Sequence, residues 1–140
     1  MPFDCELIRE GLAAQPVNTV SSLAFIVAAV VAWRRHLPGA LALVLVGVGS
    51  VLFHAAPSPV SSFVHDAGLV LVIAAAGSAM WAKRTRLPIW SLAVLATGIG
   101  VWAVSRTGGA WCSPTAVLQG HAVWHLLAAL GLAGVLLADK

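Results

Sequence analysis

Residues Gly39 to Ala55 read GALALVLVGVGSVLFHA, a run in which Ser50 and His54 are the only polar side chains. A helix of this composition is apolar around nearly its whole circumference, which suits a bilayer rather than a half-wet surface. Similar stretches surround it at Val17 to Trp33, Phe63 to Ala82, Leu87 to Val104 and Pro114 to Ala138. The expected fold is an all-α integral membrane protein, a bundle of five transmembrane helices in a single domain over residues 1 to 140. The run from Gly39 is shorter than the ~20 residues that usually cross a hydrocarbon core, a deficit that shifted ends or local thinning accommodates.

Composition agrees. The 140-residue chain is 60% hydrophobic and 9% charged, with a mean hydropathy of +0.95, outside the usual range of a water-soluble domain. Turn and helix-start signals separate the runs at Leu37-Pro38-Gly39, Ala56-Pro57-Ser58-Pro59, Leu87-Pro88 and Thr107-Gly108-Gly109. Ser113-Pro114 reads as an N-cap followed by proline at the first helical position. Gly, Ala and Ser within the spans permit close helix approach and leave oligomerisation open.

A net charge of +3 and a pI near 9.5 raise the question of a nucleic-acid partner. The basic residues instead fall in two short clusters, Arg34-Arg35-His36 and Lys83-Arg84-Thr85-Arg86, both between hydrophobic runs, as in cytoplasmic loops. That assignment makes the C-terminus cytoplasmic and puts the N-terminus on the other side. Residues 1 to 15 lack the basic start of a cleavable signal, so the first helix is expected to be retained.

Against this apolar background, His54, Asp66, His121 and His125 are costly inside a membrane unless something binds them. His121 and His125 are one helical turn apart and share a face, and imidazoles with a carboxylate suit zinc. His54 ends the second expected helix, Asp66 begins the third, and the other two histidines lie in the first half of the fifth. All four therefore belong to the non-cytoplasmic side. Counted from Pro114, His121 lies ~10 Å and His125 ~16 Å along the helix, which predicts a recessed site. Three neutral imidazoles leave one tetrahedral position open for water, the arrangement of catalytic zinc. In this reading Asp66 orients the water and takes its proton, while Ser50, one turn before His54, stabilises an oxyanion or holds the water. His65 points ~100° away from Asp66 and stays outside the ligand set.

The segments Gly49-Ser50-Val51-Leu52-Phe53-His54 and Gln119-Gly120-His121-Ala122-Val123-Trp124-His125, with an aspartate soon after the first, resemble the alkaline ceramidase family. The wider similarity is to the CREST superfamily of membrane hydrolases. Cys5-Glu6 and Asn18-Thr19-Val20-Ser21 look like that family's opening motif. The resemblance implies a zinc amidohydrolase that cleaves a membrane lipid amide of the ceramide type. His54, His121 and His125 would be its ligands, with Ser50 and Asp66 holding the water. Those proteins usually have seven spans rather than five. The resemblance also points to calcium at Asp4, Glu6 and Asn18, although Gln15 stands where a glutamate is expected, and an amide is the weaker ligand for a hard cation.

Cys5 and Cys112 fall on the same outer side, where an oxidising compartment allows either a disulfide or two separate thiols. The alternative to an enzyme is a non-catalytic, zinc-stabilised membrane protein, such as a lipid receptor or an assembly partner.

Overall fold

The GALALVLV run folds as one uninterrupted helix, and the elements around it follow the apolar stretches. The computed structural model describes residues 4–82 and 88–138, which form α1 (Pro16–Ser21), α2 (Leu23–Ala32), α3 (Leu37–Ala55), α4 (Pro59–Ala82), α5 (Ile89–Ser105) and α6 (Gly120–Leu137). Segments α1 and α2 make one rod interrupted at Ser22, whose hydroxyl donates to the Asn18 carbonyl. The basic cluster from Lys83 to Arg86 and the terminal Lys140 lie outside the described residues.

Helices α3, α4 and α6 are long and apolar enough to cross a membrane, whereas the α1–α2 rod and α5 are shorter apolar helices. Their 17 residues each rise ~26 Å, slightly less than a hydrocarbon core of ~30 Å. The large apolar residues on the outer surface, among them Val48, Val70, Ile73, Ile99 and Leu130, suit a lipid environment.

Local chemistry sets the helix starts. Pro38 lies in the first turn of α3, and the His36 ring accepts a hydrogen bond from the Gly39 amide at 3.0 Å. Helix α4 begins at Pro59, earlier than the expected Phe63. Ser58 and Ser61 exchange side-chain-to-backbone bonds of 2.8 and 3.1 Å, a reciprocal cap that holds the start of the helix.

Helix α6 starts later than expected, at Gly120 rather than Pro114. The intervening carbonyls have other partners: the Gln119 amide donates to Ser113, Pro114 and Ala116 at 2.6 to 3.4 Å, and the Leu7 amide donates to Pro114 at 3.0 Å. His121 therefore sits in the first turn of α6, and the depth expected from a helix starting at Pro114 does not hold.

The core is built from small side chains. Ala28, Ala29 and Ala32 of α2 pack with Ala40, Leu43 and Val46 of α3, Val72 and Ala76 of α4, and Ala129, Leu132, Val135 and Leu136 of α6. Helices α3 and α4 meet where a Cβ at Gly68 would lie 2.6 Å from the Val46 Cα, and one at Gly49 would lie 2.8 Å from the His65 Cα. Only glycine allows that backbone approach, which holds the end of α3, with Ser50 and His54, against the start of α4.

Candidate metal centre

The end of α3 and the start of α6 bring three imidazoles together. Ring centroids are 5.1 Å apart for His54 and His121, 5.2 Å for His54 and His125, and 4.5 Å for His121 and His125. One donor nitrogen from each ring lies within 4.8 Å of the other two, close enough for the set to hold a metal ion. His54 is 0% and His125 2% exposed, and Phe25 presents an edge contact to His125.

A segment before the first helix covers the cluster. Residues 4 to 15 fold back over the ends of α3 and α6, where the amides of Ala14 and Gln15 donate to the carbonyls of Ala55 and His54 at 2.9 Å. Cys5 is bonded to Cys112, with the two Cα atoms 5.4 Å apart, and Asp4 forms an isolated β-bridge with Arg106. The site is thus recessed beneath this strap and the loop before α6, not by its distance along a helix.

The strap supplies polar contacts to two rings. His54 Nδ1 meets Gln15 Oε1 at 2.7 Å, and His121 Nδ1 meets Asp4 Oδ1 at 2.9 Å. The second Asp4 oxygen lies 3.7 Å from His54 Nδ1. From α1, Ser21 Oγ lies 2.8 Å from His125 Nδ1. Burial pushes the Asp4 carboxyl upward, but the hydrogen bond from His121 and the neighbouring imidazoles outweigh it and hold the group below its ordinary value.

Each Nδ1 is engaged by an oxygen of the strap or of α1. His54 Nε2 is buried and has no partner, and an unsatisfied polar atom there is costly unless a ligand meets it. Three close ring nitrogens, with His54 Nε2 itself orphaned and buried, fit a metal ion. Ser50, fully buried, places its hydroxyl 3.4 Å from His125 Nε2 and 2.8 Å from Ser22 Oγ.

Asp66 stands elsewhere. Its side chain is 75% exposed and accepts from His65 at 3.0 Å, and His65 stacks on Phe53. Among the described residues the mutually close donor group comprises the three histidines alone, so Asp66 is not brought to the cluster. The contacting carboxylate belongs to Asp4.

The residues expected to share calcium are engaged separately. The Glu6 carboxylate accepts from the amides of Val17 and Asn18 at 2.9 and 2.8 Å, capping α1, while Asp4 is bonded to His121. The buried Asn18 amide makes no side-chain hydrogen bond.

Sequence reasoning missed Ser22, gave Ser21 no role beyond its place in the Asn18-Thr19-Val20-Ser21 motif, and treated Gln15 only as a missing carboxylate. The signal available for the serines was a pair of adjacent hydroxyls in an apolar helix. Comparison of the chain with protein-family models, curated proteins and solved structures yields no match.

Proposed function

We propose that this chain is an intramembrane zinc-dependent amidohydrolase acting on a lipid amide of the ceramide type. The observation that carries the reading is the group of three imidazoles with mutually close ring nitrogens, in which His54 Nε2 is buried without a partner and the Ser50 hydroxyl lies beside His125. Three imidazole ligands are characteristic of catalytic zinc, with a fourth position left for substrate or water. When bound, zinc would supply Lewis acidity, polarising a carbonyl and making water acidic near neutral pH.

The chain's own residues do the rest. Ser22 Oγ donates to the Asn18 carbonyl, so it accepts from Ser50 and leaves the Ser50 lone pairs for a water or an amide N–H at the cluster. The strap residues and Phe25 exclude bulk solvent around the rings, which strengthens every polar interaction there.

An apolar trough of about 1190 Å³ runs along the seam between the α1–α2 rod and α6, bordered by Val20, Val27, Leu126 and Leu130, with Ser21 in its lining. It offers a surface for hydrocarbon and supports a lipid rather than a polar substrate. The membrane reading includes all five rods crossing, with the cluster on the non-cytoplasmic side and the C-terminus in the cytoplasm.

The closed cluster, with His54 wholly buried, also favours a second reading, a zinc-stabilised lipid receptor or assembly protein. Incubating purified, zinc-quantified protein with lipid amides and esters separates the two. Release of fatty acid from ceramide-type amides, abolished by chelation, is the expected result. Stoichiometric zinc with no cleavage of any amide or ester would favour the receptor or structural role.

A further inference from the structure

The contacts on the far side of the three rings form a set. His54, His121 and His125 come from two helices, yet each sets Nδ1 against a polar oxygen, and His54 Nε2 is buried without a partner. We infer that Asp4, Gln15 and Ser21 are positioning residues that hold all three imidazoles in the Nδ1–H tautomer with their Nε2 lone pairs aimed at one centre.

The direction of each bond follows from what the oxygen already does. Gln15 Nε2 donates to the Glu6 carbonyl at 2.8 Å, which fixes the amide orientation and leaves Oε1 as the atom facing His54. An amide oxygen only accepts, so the proton lies on His54 Nδ1. Ser21 spends its single hydroxyl proton on the Asn18 carbonyl at 3.0 Å, so toward His125 it accepts. The Asp4 carboxylate is an acceptor by charge, and its bond to His121 is charge-assisted in the sense that strengthens such contacts. Neutral imidazole with Nδ1 protonated has its lone pair on Nε2, the form a metal requires.

The three acceptors have a common origin. All lie between residues 4 and 21, on the strap and the short first helix, and the anchors of that segment lie next to them. Cys5, bonded to Cys112, adjoins Asp4, and the Glu6 carboxylate caps the turn that leads from Gln15 into α1. The segment therefore orients a cluster to which it contributes no ligand. It also reassigns the carboxylate: Asp4 orients a ring, while Asp66, on the exposed face of α4, has no contact with the three histidines' donor atoms.

This inference rests on the metal-centre reading for its purpose, but its tautomer claim is tested without metal. Full-length protein carrying ¹⁵N-labelled histidine is purified zinc-free, and the ring nitrogens are assigned by NMR; zinc affinity is then measured by competition with a chromophoric chelator. The variants are Asp4→Ala, Gln15→Met and Ser21→Ala, which remove an acceptor, and Gln15→Glu and Ser21→Thr, which keep one.

Wild type is expected to show Nδ1–H for His54, His121 and His125. Each acceptor-removing variant should lose that state at its own ring and weaken zinc binding about 10- to 100-fold, the usual effect of losing such a partner, with the acceptor-keeping variants close to wild type. Ser21→Ala, the smallest change, carries the test if the others fail to fold, and the Tm of the zinc-free protein separates misfolding from misorientation. Unchanged tautomers and unchanged zinc affinity in the acceptor-removing variants would overturn the inference while leaving the metal centre standing. A wild type with the Nδ1–H tautomers, shifted in the variants, but with no zinc binding would uphold the positioning set and sink the metal reading instead.

Discussion

At the level of single residues, the centre separates ligands from neighbours. His54, His121 and His125 present the mutually close donor nitrogens, so in the proposed zinc centre replacing any one by Ala removes a ligand. Elemental analysis of the purified variants should show zinc content falling well below one per chain, with Tm falling alongside it. Equal zinc in wild type and all three variants would show that the ligands lie elsewhere. Ser50→Ala keeps the three rings, so under the proposed amidohydrolase reading zinc should stay while kcat for the lipid amide drops by about 10², the scale of losing one polarising or water-holding group. Asp66→Asn should leave zinc content at the wild-type level, because that carboxylate is solvent-exposed and bonded to His65. Loss of zinc in that variant would place Asp66 closer to the metal than its exposed rotamer indicates.

Among the elements, two connections decide whether the residues meet. The first is the α3–α4 contact, where a side chain at Gly68 would collide with the Val46 backbone. Gly68→Ala forces the helices apart and is expected to destabilise by about 1–3 kcal/mol, the range for overpacking, read as a lower Tm in detergent. An unchanged Tm would mean that the helices separate at no cost. The second is the strap, tied to the loop before α6 by Cys5 and Cys112. Cys5→Ser with Cys112→Ser frees the segment carrying Asp4 and Gln15, so zinc should dissociate faster from the double variant than from wild type. Alkylation with and without reductant should differ by two thiols in wild type. Identical masses would show that the bridge is absent in the purified protein.

Across the whole molecule, the helix ends carrying His54 and His121 must share one side, because α3 ends where α6 begins at the cluster. The proposed orientation, which rests on the basic clusters and the positive-inside rule, puts that side outside. A membrane-impermeant thiol reagent applied to intact cells is expected to label Glu10→Cys, on the strap, and to spare Thr85→Cys, between α4 and α5. The reverse pattern would invert the orientation without altering the metal centre. Labelling of both from outside would show that the intervening rods do not all cross.

The all-helical class, the approximate helices and the histidine trio were legible in the sequence because each depends on local pattern. Three of the long uncharged runs fold as helices long and apolar enough to cross a membrane, and the spacing of His121 and His125 puts both on one face whatever surrounds them. The start of α6 was not legible, since Pro114 offered an acceptable helix start and only the partners supplied by Gln119 and Leu7 prevented it. Nor was the choice of Asp4 over Asp66, because sidedness admits both carboxylates, and only the fold-back of residues 4 to 15 brings one to a ring. The Gln15–His54 and Ser21–His125 bonds join positions 39 and 104 residues apart. Helical periodicity carries no information over such distances. The sequence by itself determined which groups need a partner in an apolar medium, whereas tertiary structure decided which partner each one met, because that depends on where separate helix ends converge.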